Sequence, residues 1–273
     1  MVQKVFYNAS FPRAGSTLLQ NVLMQNPEIY STPTSGVIEF LLNARTTYST
    51  GDAFKAQDPD TMKSGFRNFC KTGLYGFFDG ITDRPYVMEK NRGWLGHYDF
   101  IEFFTQEQPK IICMVRDLRA IFASMEKNFR KNPDKDVLIV NNVELKNMTT
   151  AARIDHFSVA PPIGPSVEWL SEVIHRKLDE KMLFVRFEDF TNNPEKEIKR
   201  VYNYLEIPYY QHDFNNVEQL TQENDVIHGI FGDHKIQPQI KPVKNDFIEI
   251  LGKEQSNRLK THYKWYFEKF NYH

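Results

Sequence analysis

The turn Pro12-Arg13-Ala14-Gly15-Ser16-Thr17 decides the fold, because it lies between a strand-like and a helix-like segment. Val2 to Tyr7 is a short strand candidate, and Ser16 to Gln25 places Leu19, Val22 and Leu23 on one helical face. A strand, a turn of small residues and a helix in that order open a βαβ unit. The sequence therefore predicts an α/β protein with a parallel sheet.

The same turn is a candidate anion site. Backbone N–H groups at a helix N-terminus point toward one spot, and the helix dipole favours negative charge there. Gly15 permits close approach to the backbone, Ser16 and Thr17 add hydroxyl donors, and Arg13 adds a cation that can bridge two oxygens. Ser or Thr before an apolar run is also an ordinary N-cap, so a plain capped helix is an open alternative.

A nucleoside-triphosphate P-loop is the nearest functional alternative. That loop requires Gly-x-x-x-x-Gly-Lys-[Ser/Thr]. Here Gly15 is followed directly by Ser16, with no Lys between them and no Gly five residues upstream. The departure disfavours a nucleotide kinase, which stays an open alternative.

Strand and helix patterns alternate along the rest of the chain. Further strands are predicted at Pro85–Met88, Lys110–Val115 and Met182–Val185. Helices are predicted at Val37–Ala44, Asp60–Phe78, Leu118–Phe129, Ser166–Glu180, Pro194–Leu205 and Lys253–Phe267. Loops are expected at 31–35, 131–165 and 211–242. No repeat or long linker interrupts the pattern, which predicts a single domain over residues 1–273.

Composition narrows the classes of function. The 273 residues are 41% hydrophobic, so the chain can bury a sizeable core. A net charge of −1 without long charged blocks argues against a nucleic-acid partner. No apolar run approaches the roughly 20 residues of a membrane helix. Cys70 and Cys113 lack metal-knuckle spacing and suit a reducing compartment, and nothing resembles a signal peptide, so we expect a cytoplasmic protein.

A second candidate anion site follows the central strand Lys110–Val115. Arg116 comes directly after this strand, and Ser124 lies eight residues further along the next helix. Because ligands of open parallel sheets bind beyond the carboxyl ends of the strands, Arg116 is expected on the same edge as the first turn. Two anion-binding segments at one edge of the sheet suit a nucleotide that carries phosphates at both its 5′ and 3′ ends. A helix cap at Asp117 with Arg116 in a surface salt bridge is the alternative.

Together these two segments resemble the PAPS-dependent sulfotransferases (PAPS is 3′-phosphoadenosine 5′-phosphosulfate), and tyrosylprotein sulfotransferases most closely. The family's Pro-Arg-Ser-Gly-Thr-Thr-Leu corresponds to residues 12–18. Its Val-Arg-Asp-x-Arg-Ala-x-x-x-Ser-Met matches residues 115–125 at every fixed position. Three weaker motif matches occur in the same order as in the family. They are Glu89-Lys90-Asn91, residues 185–190 and Ile240-Lys241-Pro242-Val243. The resemblance implies a P-loop-like three-layer α/β/α fold with a central parallel sheet.

The resemblance also implies how the donor is held. Residues Arg13, Ala14, Gly15, Ser16 and Thr17 would bind the 5′-phosphosulfate, Arg116 and Ser124 the 3′-phosphate, and Lys241 would reach the donor from a late loop. Phe187 stands where related enzymes have Tyr. Asn128 replaces a second basic residue of the 3′ site, with Lys127 and Arg130 close enough to substitute.

The catalytic residues are indicated by fewer sequence motifs than the residues that would bind the donor. Lys90 is the candidate for the leaving-group side, assisted by Arg13; a Lys90–Glu89 ion pair is the alternative. Tyrosylprotein enzymes place their catalytic Glu where this chain has Pro33 and Thr34, so Glu39 is the nearest candidate base, with an apolar setting expected to raise its pKa. His97 is the rival base. Sulfuryl transfer requires no metal, and none is expected.

The acceptor is not marked by any motif. A small molecule, a glycan or a peptide tyrosine all fit, and loops 131–165 and 211–240 are expected to cover it. Two other functions stay open: a catalytically inactive protein that binds PAP (3′-phosphoadenosine 5′-phosphate) or PAPS, and a P-loop kinase.

Overall fold

A parallel sheet of five strands organises the computed structural model, which describes residues 1–131, 133–134, 139–140, 143–229 and 232–273. The strands of the chain are β1 Lys4–Asn8, β2 Ile29–Thr34, β3 Tyr86–Lys90, β4 Ile111–Val115, β5 Ile139–Val140, β6 Val143–Glu144 and β7 Leu183–Arg186. The central sheet has the order β2-β3-β1-β4-β7, whereas β5 and β6 form a separate antiparallel ribbon. The predicted parallel α/β architecture is confirmed.

The strand order places the functional edge. From β1 the chain moves to one side of the sheet for β2 and β3, then to the other side for β4 and β7. The carboxyl end of β1 therefore lies where the order reverses, which is the usual ligand position in an open α/β sheet. All five residues of β4 are buried, as the apolar run Ile111–Val115 predicts.

Helices flank the sheet in a three-layer α/β/α arrangement. They are α1 Ser16–Leu23, α2 Val37–Thr50, α3 Asp52–Lys55, α4 Pro59–Asp79, α5 Tyr98–Thr105, α6 Leu118–Lys131, α7 Thr150–Val159, α8 Ile163–His175, α9 Phe187–Asn192, α10 Pro194–Leu205, α11 Phe247–Leu251, α12 Lys253–His262 and α13 Lys264–Lys269. Short 3₁₀ helices cover Arg92–His97, Leu145–Asn147 and Leu178–Lys181.

Local chemistry explains where two of these helices begin. The Asp58 carboxylate accepts a hydrogen bond from the N–H of Thr61, and the Asn193 side chain accepts one from the N–H of Lys196. A proline follows each of these caps, at the first helical position, where the missing N–H costs nothing. The predicted start of α10 at Pro194 is confirmed.

Three predictions need correction. The expected loop at 31–35 is largely strand β2, because β2 is an edge strand and tolerates Pro33. The expected irregular stretch 131–165 contains α7, which the Thr149 side chain caps. The predicted C-terminal helix is divided at Tyr263 into α12 and α13.

One contiguous apolar cluster forms the core and extends from Val2 to Tyr272. It includes Cys113 on β4 and Cys70 on α4, both buried and unpaired. The single domain over residues 1–273 stays a prediction. Among the described residues, no helix has the length and apolar character needed to cross a membrane.

Candidate active site

A cavity of about 1020 Å³ opens at the carboxyl ends of β1, β3 and β4. The segment between α10 and α11, residues 206–246, covers part of it and is called the late loop below. Residues from both candidate anion segments and from the late loop line the cavity, among them Arg13, Gly15, Ser16, Thr17, Lys90, Arg116, His228, Asp233, His234 and Lys241. The structure thus brings the two sequence motifs into one site.

The first anion segment has a backbone suited to a ligand rather than to a side-chain cap. Gly15 is the N-cap of α1, with φ of 87°, and no side chain caps the helix. The first N–H groups of a helix have no partner within it, so they are free to meet an anion. The alternative of a plain Ser/Thr cap is therefore wrong. Ala14 is fully buried and contributes backbone only.

Gly15 is also required sterically. A Cβ at this position would lie 2.6 Å from Cδ2 of Phe187. The same Phe187 ring lies 4.6 Å from the guanidinium carbon of Arg116, close enough for a cation–π contact. Phe187, which stands where the family resemblance implies Tyr, is thus the aromatic surface between the two anion segments.

Arg13 connects the first segment to the second. Its Nε donates to Ser124 Oγ at 3.0 Å, which ties the turn after β1 to helix α6. Its other nitrogens donate to the Asp233 carbonyl at 2.7 Å and to the Asp233 carboxylate at 3.0 Å. Arg13 itself has a positive φ of 58°. The late loop therefore supplies the charge partner of this cation.

Lys90 lies at the end of β3 and its side chain is 9% exposed. Its ammonium is 3.4 Å from Thr17 Oγ1 and 3.2 Å from Glu223 Oε1. Burial lowers the pKa of Lys90, and the Glu223 carboxylate opposes that shift. The alternative of a Lys90–Glu89 ion pair is wrong, because Glu89 is fully buried and accepts from the Trp94 indole.

Arg116 occupies the position that its motif predicts. Its Nη1 donates to the Arg13 carbonyl at 3.0 Å, and Tyr266 donates to the Arg116 carbonyl at 2.9 Å. The Nε of Arg116 is buried with no hydrogen-bond partner among the described residues. Of the alternative, the helix cap is present, because the Asp117 carboxylate accepts from the N–H of Arg119 at 2.9 Å. The surface salt bridge is wrong, because Arg116 has no carboxylate partner within the described part of the chain. The side chain is half-buried and retains a free donor.

The surroundings of Ser124 modify one expectation. Lys127 pairs with Asp246 and Arg130 with Glu126, and neither cation lines the cavity. Asn128 is buried, and its Nδ2 has no partner within the described part of the chain. Neither Asn128 nor Ser124 is itself among the residues that line the cavity.

The remaining predicted residues differ in position. Lys241 is exposed and lines the cavity from the late loop. Glu39 lies in the first turn of α2, and the expected apolar setting is wrong because its side chain is exposed. His97 ends a 3₁₀ helix; burial lowers its pKa, with a contribution from Arg45. Neither Glu39 nor His97 is among the residues that line the cavity.

Three late-loop residues were not predicted from the sequence. Glu223, 4% exposed, lies against Lys90; Asp233 pairs with Arg13; and His234 lies 3.0 Å from Glu223. Burial alone would raise the pKa of Glu223, but the His234 ring, Lys90 and the N–H of Thr34 lower it far below its usual range. No motif marks these residues, which meet the anion site across about 130 to 220 positions of sequence.

Comparison with known proteins gives the same picture. A family model described as "Sulfotransferase family" matches residues 9–211. A search of curated proteins finds no match. The fold is similar to the sulfotransferase domain of the curacin biosynthetic pathway, with 15% identity, a TM-score of 0.57 and coverage of 97% of this chain and 98% of that chain.

Two further solved structures share the fold. Mouse sulfotransferase SULT7A1 complexed with PAP is 16% identical, with a TM-score of 0.51 over 95% of this chain and 81% of that chain. Sulfotransferase STF9 from Mycobacterium avium is 13% identical, with a TM-score of 0.53 over 96% and 76% of the two chains. At these identities the similarity concerns the fold.

Proposed function

Because the chain belongs to the sulfotransferase family, we propose that it moves a sulfuryl group from PAPS to a hydroxyl or amine acceptor and releases PAP. The observation that carries the proposal is one cavity lined by Arg13 and Arg116. The Arg13–Ser124 hydrogen bond joins the two anion segments, although Ser124 itself does not line the cavity. A nucleotide with phosphates at both its 5′ and 3′ positions has the charge distribution that these two segments would neutralise.

The 5′ end of the cavity would hold the phosphosulfate. Backbone N–H groups after Ala14 and Gly15 and the hydroxyls of Ser16 and Thr17 are the donors, and Arg13 is the nearby cation. The 3′ end would hold the 3′-phosphate through Arg116 and Ser124. Lys241, on the late loop, would close over the donor. PAP in the mouse structure supports this nucleotide class without fixing the contacts made here.

Chemistry would proceed by in-line displacement. An acceptor oxygen or nitrogen forms a bond to sulfur while the bond from sulfur to the bridging phosphate oxygen breaks. Lys90 lies 3.4 Å from Thr17 Oγ1, next to the anion turn, so its ammonium and the Arg13 guanidinium would stabilise the charge that develops on the leaving phosphate. No metal ion is needed for this step, because the two cations and the N–H groups supply the positive charge.

A base must take the acceptor's proton. Glu39 and His97 stay predictions for this role. Each lies on an element that follows a strand ending at the cavity, α2 after β2 and the 3₁₀ helix after β3. Closure over an acceptor would have to bring one of them to the reacting atom. A Glu39→Gln variant that retains full turnover and PAP binding would remove Glu39 from the mechanism.

The acceptor would bind between the donor cavity and the covering loops. The late loop lines the cavity from residue 233 to 243, which supports the expectation for residues 211–240. The part of 131–165 that lies at 132, 135–138 and 141–142 falls outside the described residues. Resemblance of the donor motifs to tyrosylprotein sulfotransferases makes a peptide tyrosine one acceptor to test, beside glycans and small hydroxylated molecules.

Labelled PAPS tests the proposal directly. The purified chain is incubated with [³⁵S]PAPS and phenols, aminosugars and tyrosine peptides, while binding of PAP and of ATP–Mg²⁺ is compared by thermal shift. We expect transfer to one acceptor class and stabilisation by PAP of about 2.7 kcal/mol at 100 times its Kd. PAP binding without transfer favours the inactive binding protein. Stronger stabilisation by ATP–Mg²⁺ than by PAP favours a kinase and contradicts the proposal.

A further inference from the structure

Three potential metal ligands meet in the late loop beside Lys90. One carboxylate oxygen of Glu223 and one ring nitrogen each of His228 and His234 lie within 4.8 Å of one another. Both histidines line the donor cavity. No metal is expected from the sequence, because sulfuryl transfer requires none and no carboxylate cluster is obvious in it; these three ligands come together only through the irregular late loop.

The two oxygens of Glu223 have different surroundings. Oε1 accepts hydrogen bonds from the ammonium of Lys90 and the backbone N–H of Thr34. Oε2 is buried and has no hydrogen-bond partner of good geometry among the described residues, although it lies 3.0 Å from Nδ1 of His234. A side chain only 4% exposed thus directs an unsatisfied oxygen toward the two histidines.

His234 has the support that a metal-binding histidine usually has. Its Nδ1 lies 2.6 Å from the carboxylate of Asp225. Such a carboxylate orients the ring and makes its other nitrogen, Nε2, the better ligand, so the Nδ1 that lies 3.0 Å from Glu223 Oε2 would orient the ring rather than bind the ion. The ring of His228 stands edge-on to that of His234, with 5.0 Å between their centroids. The two rings are therefore already close before any ion binds.

The donor set indicates which ion would fit. Two imidazoles and one carboxylate are typical ligands of Zn²⁺, whereas Ca²⁺ and Mg²⁺ prefer oxygen ligands alone. We propose that Glu223, His228 and His234 bind one divalent transition-metal ion, with Zn²⁺ as the preferred probe, and that the ion fastens the late loop over the 5′ end of the cavity. Asp225 is the positioning residue of this site.

The irregular structure of the late loop explains why a bound metal ion would be useful there. Residues 206–246 contain no α-helix or β-strand in their described part, yet they supply the partners of Arg13 and Lys90. A bound ion would restrict this loop by joining residues 223, 228 and 234. The same side chains could instead form only a hydrogen-bonded cluster in which His234 exchanges protons, and the experiment separates these cases.

Metal binding is measured on the full chain after EDTA treatment and dialysis. Titration with ZnCl₂ by calorimetry is expected to show one ion per chain, and Co²⁺ is expected to give the intense visible absorption of a four- or five-coordinate site. His228→Asn is expected to weaken Zn²⁺ binding at least about 100-fold, and Asp225→Asn about 10- to 100-fold. His175→Asn, which replaces an exposed side chain at the end of α8, is the matched control and is expected to change nothing.

Two outcomes overturn the inference. One is the absence of stoichiometric Zn²⁺ binding to a folded wild-type chain, which leaves the hydrogen-bonded cluster as the answer. The other is Zn²⁺ binding that neither His228→Asn nor His234→Asn weakens. Because PAP binding is measured separately on the metal-free chain, failure of the metal site and failure of the proposed sulfotransferase function are distinguishable.

Discussion

The two ends of the donor cavity are built in different ways. At the 5′ end, Arg13 and Lys90 already have carboxylate partners, Asp233 and Glu223, from the late loop. At the 3′ end, Arg116 rests on the Phe187 ring and the Arg13 carbonyl and keeps a buried Nε without a partner among the described residues. In the proposed binding mode, a phosphosulfate would have to compete with existing ion pairs at one end, whereas a 3′-phosphate would meet a donor that has no partner among the described residues at the other.

This difference suggests a division of roles. An arginine with an unsatisfied buried donor gains most from an anion, because binding removes a desolvation cost that the unliganded protein bears. Cations that are already paired gain less, since each new contact ends an old one. We infer that the 3′ end contributes most of the donor affinity and that the 5′ end is arranged for the chemical step.

The largest expected effect concerns the buried carboxyl next to Lys90. Burial raises the pKa of Glu89 to about 8, partly offset by the Trp94 indole. The folded chain therefore holds a proton that the unfolded chain, with a pKa near 4.3, releases, and stability falls as pH rises between these values at about 1.4 kcal/mol per unit. Between pH 5 and pH 8, the wild-type chain is therefore expected to lose about 4 kcal/mol more of its free energy of unfolding than Glu89→Gln loses. Urea unfolding at a series of pH values measures this difference.

The control for this prediction is Glu254→Gln, at the start of helix α12, where the side chain is exposed. The two curves for that pair of proteins should run parallel across the same pH range. An equal pH dependence for Glu89→Gln and wild type would show that Glu89 is ionised in the folded chain, and the 5′ end would then rest on an ordinary ion cluster.

A substitution at Gly15, in the turn after β1, is expected to disturb both the 5′ and the 3′ end of the cavity. Gly15→Ala adds a Cβ at a φ of 87° and only 2.6 Å from Phe187, the ring on which Arg116 rests. We expect a loss of about 1–3 kcal/mol in the free energy of unfolding and weaker PAP binding. Gly36→Ala is the matched control, because no atom lies within 4 Å of its added Cβ. Calorimetry and thermal melts that fail to separate the two variants would contradict the packing described here.

The smallest expected effect is an increase in the affinity for PAP. Asp233→Asn removes the charge that pairs with Arg13, a contact that is 20% and 35% exposed on its two sides. We expect PAP to bind up to about fivefold more tightly, with the gain shrinking as salt is added, because such an ion pair contributes at most about 1 kcal/mol. Asp246→Asn, which breaks the Lys127 pair outside the cavity, should leave PAP binding unchanged. Weaker binding by Asp233→Asn would mean that Asp233 helps to hold the donor.

The parts of the fold that could be predicted from sequence are those governed by local patterns. The apolar run of β4 and the strand–turn–helix order around Gly15 each carry their own signal, and the structure confirms both. Pro33 misled the prediction because a proline is permitted in an edge strand, and edge position is a property of the whole sheet.

The residues of the candidate site could likewise be predicted only where a local sequence pattern marks them. Lys90 is the last residue of β3, Arg116 directly follows β4 and Arg13 lies in the turn after β1, so their meeting at one edge is a consequence of parallel topology. Glu223 and Asp233 could not be found in this way, because an irregular loop brings them back from more than 130 residues away. The exposure of Glu39 likewise depends on how α2 packs, which its own sequence does not determine.

The central claim is that one cavity grips a nucleotide at two ends, and comparing PAP with adenosine 5′-monophosphate tests it most directly. Calorimetry on wild type, Arg116→Ala and the surface control Arg176→Ala measures what the 3′-phosphate contributes. We predict that wild type and the control bind PAP at least about tenfold more tightly than the monophosphate, as a charged hydrogen bond of about 1.5–3 kcal/mol implies, and that Arg116→Ala loses most of this preference. Equal affinities for the two nucleotides in wild type, or a preference that survives Arg116→Ala intact, would contradict the claim.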